Sequence, residues 1–134
     1  MADSPRHAEI VSALTAYYEA LYYGDPRKLD DAFTSDALLV GDVNDAAVRL
    51  TVDQYRRLLA TRPSPQSKGE PYAFAILDVR QCGKAALAEL TTPLNEIVFT
   101  DYASLVQRDG RWRIAFKLFS HHREEASDCT HKSQ

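Results

Sequence analysis

The chain has 134 residues, 45% hydrophobic and 26% charged, with a net charge of −3 and a pI near 5.8. That is one globular domain of ordinary composition, and its acidic balance argues against nucleic acid or an anionic membrane as partner, because both demand a basic face. Cys82 and Cys129 make no disulfide framework, no apolar run approaches the roughly 18 residues of a membrane span, and the N-terminus lacks the charged-then-apolar order of a secretory leader, so a cytoplasmic location is expected.

Ser4 followed by Pro5 supplies a capping hydroxyl and a first-turn proline whose missing amide donor costs nothing there. Ile10, Leu14, Tyr17 and Leu21 then recur at helical spacing up to Gly24, which predicts a long amphipathic helix. Neighbouring side chains on a helix lie about 100° apart, so Tyr17 should face inward while Tyr18 and Tyr22 share a flanking stripe. Asp25-Pro26 restarts a short second helix through Leu29 and Phe33, closed by Thr34-Ser35-Asp36. Ala37 to Val43 and Val48 to Leu50 predict a strand pair across Asn44-Asp45. Thr51-Val-Asp-Gln54 is a capping box that opens a third helix through Tyr55, Leu58 and Leu59. Pro63, Pro65, Gly69 and Pro71 then make residues 62–71 one long irregular loop, read as a connector rather than a lid.

Tyr72 to Gln81 and Ala85 to Thr92 read as a hairpin across Cys82-Gly83-Lys84. Pro93 cannot donate to a strand ladder, so the next strand is expected to begin beyond it, after a bend near Leu94. The stretch from Asn95 to Phe119 reads as two long strands joined by Asp109-Gly110, the strongest short-range hairpin signal in the chain. A two-residue turn there sets Arg108 opposite Arg111, Leu105 opposite Ile114, Ala103 opposite Phe116 and Asp101 opposite Leu118. One face then carries Ile97, Phe99, Ala103, Leu105, Trp112, Ile114, Phe116 and Leu118, with Asp101 as its only charge. Tyr102, Lys117, Phe119 and His121 fall on the other face, Lys117 only if no bulge intervenes. A carboxylate on an apolar face must be paired, hydrogen-bonded or neutralised, so Asp101 is either a structural partner of a nearby cation or part of a pocket. His121 and His122 are adjacent in a strand and point to opposite faces, so they cannot chelate one ion; no metal or other cofactor is expected. Asp42 and Asp78 are further acids whose facing stays open.

Helices in front and hairpins behind describe an α+β domain over residues 1–122, with 123–134 as a polar tail. Twist and the bend at Pro93 should curl the sheet around the first helix and leave a concave space lined by the apolar face.

The segments Tyr17-Tyr18-Glu-Ala-Leu21-Tyr-Tyr-Gly24-Asp25, Leu29-Asp-Asp-Ala-Phe33, Phe99-Thr-Asp101-Tyr102 and Asp109-Gly-Arg-Trp112-Arg-Ile114, with Lys117 and Phe119, resemble the nuclear transport factor 2-like superfamily. Within it the pattern is most similar to the putative lumazine-binding family, beside the SnoaL-like polyketide-cyclase branch. The resemblance implies a cone-shaped curved antiparallel sheet wrapped around N-terminal helices, a cystatin-like α+β barrel with a pocket in its wide mouth. It also implies a homodimer through the outer sheet face, placed here at Tyr102, Lys117 and Phe119.

Combined with the register, the resemblance places Tyr17, Phe33, Phe99, Asp101, Phe116 and Leu118 around a small cyclic or aromatic ligand. Two readings follow: a small-molecule-binding protein in which Asp101 is structural, or an isomerase, cyclase or dehydratase in which Asp101 is general base and Tyr17 donates to a developing oxyanion.

Overall fold

A computed structural model describes residues 5–121. Helix α1 spans Pro5–Tyr23, followed by a 3-10 turn at Pro26–Lys28 and the one-turn helix α2, Leu29–Ala32. Strands β1 (Phe33–Val43) and β2 (Ala46–Thr51) come next, then α3 (Val52–Thr61), a second 3-10 turn at Gln66–Lys68, and strands β3 (Ala75–Cys82), β4 (Ala85–Leu94), β5 (Ile97–Arg108) and β6 (Arg111–His121). The local signals act as anticipated at several points. The Asp25 side chain accepts from the Arg27 amide, and Thr51 and Gln54 form both halves of a capping box. The 62–71 segment is less irregular than its prolines suggested, since it holds the short turn at Gln66–Lys68.

All six strands join one sheet in the order β2-β1-β6-β5-β4-β3, antiparallel throughout except that β1 runs parallel to β6. Helix α1 packs into its concave side, where Ile10, Leu14, Tyr17, Tyr18 and Leu21 are buried against Leu90, Ala103, Leu105 and Ile114. The result is the α+β cone anticipated from the sequence. No helix among the described residues is long and apolar enough to cross a membrane.

Three local expectations are corrected. Phe33 is the first residue of β1 rather than the end of a helix. Pro93 lies inside β4, and the reversal falls one step later at Asn95-Glu96, where both residues take positive φ, 53° and 68°. Two consecutive left-handed residues are the geometry of a tight hairpin turn, so the break belongs to the turn and not to the proline.

The third correction decides the site. Register runs as predicted from Arg108 opposite Arg111 to Leu105 opposite Ile114, but Ser104 then pairs with Phe116, because Ala115 is an extra residue in β6. Past this bulge Ala103 faces Lys117 and Asp101 faces Phe119. A one-residue slip moves every later side chain to the opposite face. Lys117 and Phe119 therefore turn into the cone, 4% and 8% exposed, while Phe116 and Leu118 turn out, at 37% and 46%.

Gly41 on β1 is fitted to this arrangement. It pairs with Phe119, and a Cβ there would lie 2.0 Å from the Phe119 carbonyl oxygen and 2.7 Å from its ring. Only a residue without a side chain lets β1 approach the inward Phe119 so closely.

Candidate functional site

Four elements meet at the centre of the cone. Helix α1 brings Tyr17, β4 brings Thr92, β5 brings Asp101 and β6 brings Lys117, all shielded from solvent. The Tyr17 hydroxyl donates to Asp101 Oδ2 at 2.6 Å, and the Thr92 hydroxyl donates to the same oxygen at 2.7 Å. Lys117 Nζ donates to the Tyr17 hydroxyl oxygen at 2.6 Å and lies 4.0 Å from Asp101 Oδ2. Lysine, tyrosine and aspartate thus form one chain in which the phenol accepts from the cation and donates to the anion. The second carboxylate oxygen, Oδ1, is buried without a hydrogen-bond partner.

Rings complete the surroundings of the ammonium. Lys117 Nζ sits 4.5 Å from the Tyr17 ring centroid, 4.7 Å from Phe119 and 5.6 Å from Tyr55. Such faces attract a desolvated cation, and with Asp101 they offset part of the cost of burying it. Burial still pushes the Lys117 amine below its ordinary value; the nearby Asp101 charge opposes that shift and the Arg62 charge adds to it. Burial, with the Asp101 charge beside it, holds the Tyr17 phenol well above its ordinary value. Tyr55 is likewise raised, chiefly by burial.

Directly above this centre is a partly open cavity of about 130 Å³. Its floor is Tyr17, Thr92 and Lys117, its walls are Leu39, Leu50, Tyr55, Phe99 and Phe119 with further aliphatic residues, and Arg62 at the end of α3 joins them from the side. The Arg62 guanidinium lies 5.9 Å over the Tyr55 ring, and its Nη2 is buried without a partner. Asp101 is not part of the wall; Tyr17, Thr92 and Lys117 stand between it and the cavity. A larger groove, about 580 Å³, lies outside the cone between Asp30, Asp36, Asp53, Arg56 and Arg113. In it Arg56 already pairs with both Asp30 and Asp53, and it holds none of the buried polar centre.

The sequence matches the family model described as "Putative lumazine-binding" over residues 5–120. The chain belongs to this family. No curated protein matches the sequence of this family member. Among solved structures it is similar to an NTF2-like protein of unknown function from Shewanella baltica (TM-score 0.77, 24% identity, covering 89% of this chain and 95% of that one). A second, from Silicibacter pomeroyi, gives a TM-score of 0.75 at 20% identity, over 91% of this chain and 100% of the other. A ketosteroid isomerase-like protein from Erwinia carotovora atroseptica gives 0.68 at 17% identity, over 90% and 98%. At these identities the likeness establishes the nuclear transport factor 2-like fold.

Set against this lumazine-binding family member's cone, the sequence-predicted residues divide. Tyr17 and Phe99 line the cavity, and Asp101 is buried just behind it. Phe33 packs edge-on against Tyr17 at 5.8 Å and supports it from outside the cavity wall. Phe116 and Leu118 are on the outer face, so their expected place in the cone is overturned by the Ala115 bulge. The same bulge removes Lys117 and Phe119 from the outer face and leaves Tyr102 there, 43% exposed. Asp42 accepts from the outward-facing Ser120, and Asp78 pairs with Arg80 on the surface, so neither acid enters the cone. His121 accepts from the Asn44 amide through Nε2, whereas His122 and the tail lie outside the described residues. Among the described residues no three His, Cys, Asp or Glu side chains converge to hold a metal ion.

Thr92, Tyr55 and Arg62 were missed. Thr92 carried a usable signal, since alternation along Ala86, Ala88, Leu90 and Leu94 aims it inward. Arg62 carried none: it ends a helix just before Pro63, and only the tertiary path of that helix brings its side chain to the cavity.

Proposed function

We propose that this protein is a small-molecule binder whose ligand occupies the cavity above Lys117 and Tyr17. The observation that carries the reading is the placement of Asp101 behind the cavity wall, its Oδ2 already accepting from two hydroxyls. A general base must reach the proton it removes, and this carboxylate does not line the cavity, whose floor is Tyr17, Thr92 and Lys117. Its role is to position Tyr17 and Lys117, the groups that meet the ligand. A cavity of about 130 Å³ is comparable to engineered apolar cavities of about 150 Å³ that take benzene, so a single flat ring with a short substituent is the natural occupant. The family description adds lumazine, a compact bicyclic heterocycle, as a probe worth including.

The test is a thermal-shift screen of single-ring and lumazine-type compounds against the native chain and Leu50→Phe, which fills the cavity from its wall. At least one compound should raise the native melting temperature and leave the filled variant unmoved. Equal stabilisation of both would place binding elsewhere and defeat the reading.

One observation favours a second reading. The unbroken Lys117–Tyr17–Asp101 chain would let a proton released at the cavity floor pass through the phenol to the carboxylate, as an acid/base isomerase, cyclase or dehydratase requires. Turnover by native protein that is lost in Tyr17→Phe, with ligand binding retained, distinguishes it.

We also propose a homodimer through the outer sheet face. The bulge equips that face with Phe116 and Leu118 beside Tyr102 and Leu87, an exposed apolar patch of the kind that marks an interface.

A further inference from the structure

Resting on the binding reading, we infer that the cavity selects an anion: a small flat ring bearing a carboxylate or an ionised enol or imide oxygen. The wall has two cationic side chains, Lys117 and Arg62, and no carboxylate. Both have donors to spare. Lys117 carries three N–H groups and gives one to Tyr17; Asp101 at 4.0 Å is beyond hydrogen-bonding distance. Arg62 Nη2 is buried with no acceptor, and among the described residues Arg62 makes no ion pair.

An unsatisfied buried donor is costly, and the cost is greater for a charged group. Here one such donor, Arg62 Nη2, shares a small, largely apolar space with the spare N–H groups of Lys117. An oxyanion between them would satisfy both, while the ring would lie against Leu39, Leu50 and Phe99. A neutral ring would gain the apolar contacts but leave the Arg62 charge uncompensated. A cationic ring would meet two like charges.

The interior acid does not reverse this. Asp101 balances Lys117 from behind Tyr17, so the Arg62 charge remains for the ligand to neutralise. Arg62 is the selectivity residue, and Lys117 is the floor donor that fixes where the oxyanion lies.

Three probes of equal size and different charge decide the matter by titration calorimetry or ligand-detected NMR: benzoate, benzamide and benzamidine. Benzoate should bind roughly tenfold or more tighter than benzamide, because the carboxylate adds an opposite charge where the amide carbonyl only accepts a hydrogen bond, and benzamidine should bind weakest. Arg62→Met should weaken benzoate far more than benzamide and bring the two affinities to within about twofold of each other. Arg62 sits at the side of the cavity rather than in the core, so this variant keeps the test sound if Lys117→Met folds poorly. Equal affinity for all three probes, or benzoate binding untouched by Arg62→Met, overturns the anion inference while the binding reading stands. If none of the three binds and no other ring-sized compound does either, both fall together.

Discussion

The two faces of the central hairpin, β5 and β6, invert the usual rule for a half-buried sheet. The inner face holds an aspartate and a lysine, linked by hydrogen bonds through the Tyr17 hydroxyl of α1. The outer face offers Tyr102, Phe116 and Leu118 to solvent. Polar residues belong inside only where partners and rings compensate them, and apolar ones outside only where something covers them. One residue, Ala115, produces both departures at once. Without it Lys117 would be a surface charge, Phe116 and Leu118 would fill the cone, and no cationic floor would exist. The comparison teaches that the site comes from a break in strand alternation as much as from the residues it presents.

The inner face should be the more fragile, and the largest expected effect is there. Asp101→Leu strands the Lys117 ammonium without its counterion, and unfolding in urea should show a loss of about 3–5 kcal/mol, the usual cost of breaking a buried pair from one side. Asp101→Asn keeps an acceptor for the two hydroxyls and should lose clearly less. If both variants match the native chain, the interior pair is unimportant and the contrast between the faces disappears.

A smaller effect concerns pH. The Lys117 amine titrates below its ordinary 10.5 in the folded protein. Between its folded value and 10.5 the unfolded chain binds more protons, so this group adds stability as pH rises and withdraws it as pH falls. Tyr17 acts in the opposite sense. Its folded value is held well above 10.0, so its share is fully present below 10.0 and is lost as pH climbs beyond. Measured by urea unfolding from neutral pH to alkaline, the native chain should gain on Lys117→Met as pH approaches 10.5 and lose ground to Tyr17→Phe above 10.0. Flat differences would mean that neither group is buried as described.

The outer face should yield the smallest change in fold stability and a clear one in assembly. Leu118→Glu should leave the monomer's stability within about 0.5 kcal/mol. In sedimentation it should move the protein from a dimer, twice the 15.1 kDa chain mass, to a monomer. A native chain that sediments as a monomer at micromolar concentration would remove the proposed interface.

Much of this was legible in advance. The capping box at Thr51 and Gln54, the stop at Gly24, the Asp109-Gly110 turn and the inward aim of Asp101 all follow from local rules, because each depends on residues next to one another. Asp101 was correctly aimed because the bulge adds its residue on β6, leaving the alternation of β5 intact. The facing of Phe116, Lys117, Leu118 and Phe119 depends on the extra residue at Ala115, and nothing in Ile114-Ala115-Phe116 announces it. Gly41 was a trace of the same event from the other side: a glycine in a Val- and Leu-rich strand marks a close approach, but not which residue approaches. Arg62 was hidden because its place depends on how α3 lies over the sheet.

The bulge is therefore the point to test. Cysteine placed by Leu118→Cys or by Phe119→Cys, each with Cys82 and Cys129 replaced by serine, can be labelled with a maleimide under native conditions and timed by mass spectrometry. With the protein diluted until it is monomeric, so that the proposed interface cannot cover position 118, the structure predicts rapid labelling at 118 and strong protection at 119, deepened by any ligand that stabilises the protein. Rapid labelling at 119 with protection at 118 would restore an unbroken register, put Lys117 back on the surface, and contradict the cationic pocket from which the functional reading is built.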